Sequence, residues 1–472
     1  MRLNIRPSNA ALLVGIIFSV ISNYGVAILA NQQIQPNIVF VLFDDFGYCQ
    51  PASYRANSEF KTPNFDRLTR DGMRFMDAHS AAANCTPTRY GLLTGRYPCR
   101  IGQFGVLKTY SPPIIPVGRP TVASFLRSNG YHTACIGKWH LGLNWVDGQP
   151  GTENEVPVGS RHTDGPNALG FDYFFGYTHA RNIGSIIEQD RVVANVKAIE
   201  NQPLMIGHAI SYIEQRAATK QPFFLYFPMC PPHTPVAPAE EYLGKSEVVG
   251  KESEYGDWVY QGDDMLGQIL NALERTGQAS NTLVIATGDN GAAGRPYAPL
   301  RESKSSIYEG GHREPFVARW PGHVTPNSVC HQTICLNDLF ATCADILAKP
   351  MPDNCAEDSF SILPYLEGKT SSPVREATVH QAPGGLAIQK ADWKLVFHRN
   401  GERELFNLKD DLGETSNVAA GHDEIISEMT NLMQSYIDQG RSRPGTVQKN
   451  EFNLTLSFGN GGARRRQSKK EQ

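Results

Sequence analysis

From Asn37 the chain reads Asn-Ile-Val-Phe-Val-Leu-Phe, apolar after its first residue, and then stops on Asp44-Asp45. A continuous apolar run bounded by polar residues predicts a strand buried on both faces, the kind found in parallel sheets. Three more runs follow the same plan. Residues 131–136 lead into Gly137-Lys138-Trp139-His140, residues 223–229 into Cys230-Pro231-Pro232-His233, and residues 282–287 into Gly288-Asp289-Asn290-Gly291. Between them the apolar positions recur at helical spacing. Thr62-Pro63 opens one helix, with Phe65, Leu68 and Phe75 assigned to one side, and Thr121 opens another through Phe125 and Leu126. A third helix over 254–273 places Trp258, Val259, Met265, Leu266, Ile269, Leu270 and Leu273 on one face. Strand alternating with helix predicts an α/β fold on a largely parallel sheet. In such sheets ligands bind beyond the carboxyl ends of the strands, and four strand ends here carry polar clusters.

From about Pro350 the connections become rich in Pro, Ser and Gly. Short strands at 393–397 and 405–407 and a helix at 424–437 then predict a small C-terminal α+β subdomain. The division this gives is a main body over 31–370, the subdomain over 371–440, and a loose Gly- and Arg-rich basic tail over 441–472. There is no internal repeat. Residues 1–30 run from Arg2 and Arg6 through an apolar stretch to small residues at Gly25, Ala27 and Ala30. That is the order of an export signal, and the apolar stretch is too short for a comfortable membrane span. An uncleaved N-terminal anchor is the alternative. Either reading sends the body out of the cytosol, to the periplasm or the extracellular space.

Composition adds two constraints. At 472 residues, with 40% hydrophobic and 19% charged positions, the chain has the make-up of a globular protein and neither disorder nor a coiled coil. The formal net charge of −3 sums unlike parts. Both ends are basic, the last ten residues holding Arg464, Arg465, Arg466, Lys469 and Lys470 against Glu471. The body between is therefore more acidic than the total, which argues against nucleic-acid binding.

Candidate chemistry begins at the strand ends. Side chains alternate faces along a strand, so adjacent Asp44 and Asp45 can meet one ligand only where the strand has ended. With Asp289 and Asn290 they offer oxygen donors without imidazole, a set suited to Ca²⁺ or Mg²⁺ rather than Zn²⁺. Alone, Asp44-Asp45 would read as a turn or a helix cap. Asn84-Cys85-Thr86-Pro87-Thr88-Arg89 comes next, followed by Gly91-Leu-Leu-Thr94-Gly95-Arg96. Pro87 suits a first helical turn, which puts Cys85 at the helix's positive end. A lone cysteine would otherwise be an inert buried thiol or half of a disulfide.

Together these segments resemble the type I, formylglycine-dependent sulfatases. Cys85-Thr-Pro87-Thr-Arg89 with Leu93-Thr94-Gly95 looks like the family signature. Gly137-Lys138-Trp139-His140-Leu141-Gly142, Asp44-Asp45, Asp289-Asn290, and Lys304 ahead of Tyr308-Glu309-Gly310-Gly311 match further segments in the right order. The resemblance spans about Pro36 to Leu408. It implies an alkaline-phosphatase-like fold and conversion of Cys85 to Cα-formylglycine by a maturation enzyme. One divalent ion, Ca²⁺ with Mg²⁺ as the alternative, would sit on Asp44, Asp45, Asp289, Asn290 and residue 85. The hydrated aldehyde would attack sulfur, with Arg89 supporting it and Lys138 and Lys304 holding the sulfate. His233 or Lys304 would protonate the leaving alcohol, and His140 would take a proton from the second hydroxyl to release sulfate. Three departures stand out: Thr88 where Ser is commoner, Glu302-Ser303 in place of a glycine-rich approach to Lys304, and an unusual Cys49-Gln50.

The implied activity is removal of sulfate from a sulfated carbohydrate or an aryl sulfate. A formylglycine-dependent phosphonate or phosphodiester hydrolase on the same scaffold is one alternative. A catalytically inactive glycan-binding relative is another, and its expected sign, a lost active-site residue, is missing. The segment 142–182, with Arg161, His162, His179 and Arg181, is the candidate for shaping sugar subsites. Only Asn84 and Asn453 lie in N-x-Thr contexts, and Asn84 abuts Cys85, which favours a bacterial exported enzyme over a lysosomal one. Setting Cys85 aside leaves eight of the nine cysteines, an even set that permits up to four disulfides.

Overall fold

The computed structural model describes residues 35–456. The expected export signal and the Arg464–Lys470 cluster lie outside the described residues. The main sheet has ten strands: β1 (Asn37–Asp44), β2 (Met73–Phe75), β3 (His132–Lys138), β4 (Tyr173–Tyr177), β5 (Ser185–Glu188), β6 (Arg191–Asn195), β7 (Phe223–Pro232), β8 (Thr282–Gly288), β9 (Phe316–Arg319) and β10 (Ser328–Cys330). Their order across the sheet is β10-β2-β9-β8-β1-β7-β3-β4-β5-β6. The central block β8-β1-β7-β3-β4 is all parallel, and β9, β5 and β6 add antiparallel pairs outside it. The sheet is thus mixed and mostly parallel at its centre.

The seven main helices are α1 (Pro63–Asp71), α2 (Cys85–Thr94), α3 (Val122–Ser128), α4 (Ala198–Ala217), α5 (Ser253–Arg275), α6 (Leu339–Ile346) and α7 (Asp423–Gln439). Alternate residues of β1 feed two separate cores, as strand geometry demands. Ile38, Phe40 and Leu42 pack with Leu92 and Leu93 of α2, Val122 and Leu126 of α3, and Phe340 of α6. Val39, Val41 and Phe43 pack with Phe65 of α1, Met205 and Ile213 of α4, and Trp258 and Ile269 of α5. Helices therefore cover both faces, which is why β1 carries no polar face. Phe75 departs from the expected helix. The chain leaves α1 at Gly72, and Phe75 lies on β2.

The C-terminal subdomain is an antiparallel meander of β11 (Thr378–Ala382), β12 (Gly385–Lys390), β13 (Trp393–His398) and β14 (Arg403–Asn407), with α7 packed on it through Met429 and Met433. Its edge strand touches the main body at a telling place. Gln381 N–H donates to the Ala81 carbonyl at 3.0 Å, and Ala83 N–H to the Gln381 carbonyl at 2.9 Å. The small sheet thus braces the segment that leads into Cys85.

Residues 441–456, expected to be loose, are held to the body. Arg441 is fully buried, with Nη1 2.9 Å from Asp353 Oδ1. Glu451 pairs with Arg96 at 2.6 Å, and Phe452 N–H donates to the Arg100 carbonyl. Ion pairs and backbone bonds order this segment, and low hydrophobic periodicity hides both. The permitted disulfides are also unused: all nine cysteines are free, buried thiols.

Behind the edge of the small sheet, His79, His312 and His380 form a fully buried cluster. The rings of His312 and His380 stack at 4.1 Å, and Lys394 Nζ lies 3.0 Å from His312 Nε2. Burial, then neighbouring positive charge, holds both His312 and His380 well below the usual histidine range. The unfolded chain binds a proton at each near pH 6.5, and the folded protein does not. Each group's contribution to stability is therefore present above that pH and lost as pH falls. Between pH 7.5 and 5.5 a His380→Gln variant should gain about 1.4 kcal/mol of unfolding free energy relative to the parent. Parallel denaturant titrations of the two proteins check this, and a pH-independent difference refutes it.

Candidate active site

β1 ends on Asp44, and Asp45 adopts φ 66°. This left-handed turn, costly for a residue with a side chain, is what lets two consecutive carboxylates face one place. Next to β1, β8 ends on Gly288, and Asp289 N–H continues the ladder to the Phe43 carbonyl at 3.0 Å. Asp289 Oδ1 accepts from Asp45 N–H at 3.0 Å, and Asn290 Nδ2 donates to Asp45 Oδ1 at 2.7 Å. The two strand ends are stitched together through their functional side chains.

Cys85 is the first residue of α2 and is 2% exposed. Every residue of this helix is buried, so it is a core element that presents its N-terminus to the strand ends. Arg89, one turn on, lies on the same face as Cys85. It donates from Nε and Nη2 to Asp289 Oδ2 at 3.1 and 2.7 Å and from Nη1 to the Lys138 carbonyl at 3.0 Å. Its Nη2 is 3.5 Å from Asp44 Oδ1. Lys138, the last residue of β3, places Nζ 2.5 Å from Asp44 Oδ2. Lys304 Nζ contacts Asp45 Oδ1. His233 Nε2 is 3.6 Å from Asp45 Oδ2, with its carbonyl held by Trp258 Nε1 at 2.9 Å. All the residues singled out from the sequence as catalytic or metal-binding thus meet at one edge of the sheet.

The charges explain one another. Burial opposes ionisation of Asp44, but Lys138, His233, Arg89 and Lys304 hold its carboxyl well below the usual range. Burial, then the charge of Asp44, pushes Asp289 well above that range despite Arg89. Two carboxylates competing this way are what a divalent cation relieves. Two buried oxygens support the fit: Asp44 Oδ1 and Asn290 Oδ1 have no hydrogen-bond partner. Donor atoms of Asp44, Cys85 and Asp289 lie within 4.8 Å of one another, as do those of Asp44, Asp45 and His233. Burial, then Lys138 and Arg89, holds His140 well below the usual histidine range, so its ring is neutral near pH 7.

Some expectations shift. In the proposed sugar-binding segment, Arg161 pairs with Asp190, beyond the segment's end, at 2.6 Å, and His162 packs on Trp145 and Phe174 within it. His179 instead stacks on His140, ring centres 5.5 Å apart. Glu302 takes φ 63°, the conformation a glycine would supply before Lys304, and Ser305 Oγ donates to Asn84 Oδ1 at 2.7 Å. Gln50 bridges Gly47 N–H and the Tyr255 hydroxyl, so this unusual residue fixes the turn after Asp45. Sequence reasoning passed over Thr86 and Leu107, whose contacts to His140 are made by a hydroxyl and a main-chain carbonyl.

The Sulfatase family model matches residues 36–349. An N-acetylgalactosamine-6-O-sulfatase of Bacteroides thetaiotaomicron is 28% identical over 87% of this chain and 97% of its own length. Human arylsulfatase A is 30% identical over 82% of this chain and 80% of its own. A solved structure from work on glycosaminoglycan metabolism by Bacteroides thetaiotaomicron superimposes with a TM-score of 0.76 at 28% identity, covering 85% of this chain and 99% of that one. The chain belongs to the sulfatase family and is a hydrolase of sulfate esters.

Proposed function

We propose that this protein is an exported bacterial enzyme that removes sulfate from a sulfated carbohydrate, with Cys85 matured to formylglycine and one divalent cation, Ca²⁺ or Mg²⁺. The observation that carries the reading is the meeting of Cys85, at a helix N-terminus, with Asp44 and Asp289 and a surrounding set of cations. Formylglycine would supply a nucleophilic hydroxyl at position 85, and Asp44, Asp45, Asp289 and Asn290 would hold a cation whose charge would lower that hydroxyl's pKa and polarise the sulfate. Arg89, Lys138 and Lys304 offset the ester's negative charge from fixed, largely desolvated positions. His233, with a side chain 19% exposed, is placed at the open side to protonate the leaving alcohol through Nε2. His140, neutral and buried, takes up a proton at its ring.

The relatives' names make a 6-sulfated N-acetylgalactosamine residue the first substrate to test. Protein expressed in its own host should yield a peptide around Cys85 about 18 Da lighter than the thiol form. It should cleave nitrophenyl sulfate and the 6-sulfated sugar well above the matching phosphate and phosphonate esters, and a chelator should suppress both activities. An unmodified thiol in an active preparation, or phosphate turnover far above sulfate turnover, would sink the reading. Among the described residues no helix is long and apolar enough to cross a membrane.

A further inference from the structure

The wall of the site that faces His140 has nearly every proton assigned by its neighbours. His179 Nδ1 accepts from Arg181 N–H at 3.2 Å, so His179 Nε2 carries the proton and donates to Thr109 Oγ1 at 2.9 Å. Thr109 in turn donates to the Glu153 carbonyl at 2.6 Å. His140 Nε2 lies 3.0 Å from the Leu107 carbonyl. A carbonyl only accepts, so Nε2 of the neutral ring bears the proton and Nδ1 carries the lone pair. That Nδ1 is buried and has no hydrogen-bond partner.

What fixes Leu107 against His140 is Thr86, the residue beside Cys85. The Thr86 hydroxyl donates to the His140 carbonyl at 3.2 Å and accepts from Leu107 N–H at 3.1 Å. Thr86 is fully buried. His140 needs such a restraint, because its backbone sits at φ 58°, where a non-glycine residue is strained. Thr178 supplies the other restraint, accepting from His140 N–H at 2.7 Å.

Building on the sulfatase reading, we infer that Thr86 is a positioning residue. Its hydroxyl clamps Leu107 and His140 to the first turn of the nucleophile's helix, so that the Leu107 carbonyl selects the Nε2–H tautomer and leaves the unpartnered His140 Nδ1 as the proton acceptor. A hydroxyl is required because one group must donate to a carbonyl and accept from an amide at once. Valine matches the shape and can do neither.

The test compares Thr86→Val with Thr86→Ser on nitrophenyl sulfate, with rates expressed per formylglycine site counted by mass spectrometry. The valine variant should lose about 100-fold in kcat with KM within about twofold, the range general-base placement commands. The serine variant should stay within about threefold of the parent. Parent-like kcat in Thr86→Val, or equal losses in the two variants, overturns the inference. A readout independent of the variants is ¹⁵N NMR of ring-labelled histidine in the parent protein, with His140 assigned by the signal lost in His140→Gln. A protonated Nε2 and bare Nδ1 support the inference, and the opposite tautomer or an averaged signal overturns it. Failure of the sulfatase reading looks different, because the parent protein would then show no formylglycine or no sulfate-ester turnover.

Discussion

Replacing Cys85 with alanine should cut sulfate-ester turnover by at least about 10⁴-fold while leaving the fold intact. The fold survives because the hydrogen bonds that fix the start of this helix do not involve the Cys85 side chain. Thr88 N–H still donates to the Asn84 carbonyl at 3.1 Å, and Thr88 Oγ1 still donates to the Ala82 carbonyl at 2.7 Å. Losing one sulfur from this packed position costs about 1 kcal/mol. The cations proposed to hold the sulfate also remain, since Arg89, Lys138 and Lys304 are each anchored by carboxylates and not by Cys85. Binding of the ester should persist and kcat should collapse, which steady-state kinetics beside a thermal melt will show. Cys85→Ser sharpens the point. A lone hydroxyl can accept sulfate once, but it lacks the second hydroxyl whose deprotonation expels it. About one equivalent of alcohol per site should appear, and then turnover should stop. Parent-like turnover in Cys85→Ala would remove residue 85 from the chemistry altogether.

Much of this arrangement was legible in the chain because the information is local. β1, β7 and β8 are apolar runs that lead into the candidate site residues, and the motif Cys85 to Arg89 sets one helical turn between the proposed nucleophile and its neighbouring cation. What was not legible depends on partners distant in sequence. β11 and β12 lie in a stretch read as connections, and their place is decided by pairing with each other and with residues 81–83. The hold on His140 passes through the Leu107 carbonyl, a main-chain atom every residue possesses, so no residue type could announce it. Phe75 was misplaced for a related reason. Its spacing suits either a helix face or a following strand, and Gly72 settles the matter because Ala318 of β9 passes too close for any side chain there. The residues 441–456 show the same limit, since salt bridges such as Arg441 with Asp353 carry no periodic signature.

Lys394 lies far from Cys85 in sequence and pairs with none of the candidate catalytic or metal-binding residues, yet its loss should cost about 3–5 kcal/mol of stability. It projects from β13 with its side chain fully buried. Nζ is 2.9 Å from Glu309 Oε1, 2.8 Å from Glu414 Oε1 and 3.0 Å from His312 Nε2. Burial opposes the charge of Glu309, but Lys394 and its neighbours hold that carboxyl well below the usual range, whereas Glu414 is pushed up by burial against the same lysine. Lys394→Met would leave two carboxylates facing each other without their shared cation, with Arg313 Nη1 still 2.7 Å from Glu309 Oε2. The damage should reach the proposed metal-binding edge by a short path. Glu309 begins the turn Glu309-Gly310-Gly311, and Gly291 N–H, next to Asn290, donates to the Gly311 carbonyl at 3.1 Å. Denaturant unfolding of Lys394→Met should therefore show a lower midpoint, and activity should become more easily lost to chelation. Neutralising the stranded acids, in Lys394→Met with Glu309→Gln and Glu414→Gln, should recover much of the stability, because the penalty comes from uncompensated charge rather than lost packing. A Lys394→Met protein as stable as the parent would mean that Arg313 and the histidines already balance these acids. A triple variant no better than the single one would assign the loss to packing instead.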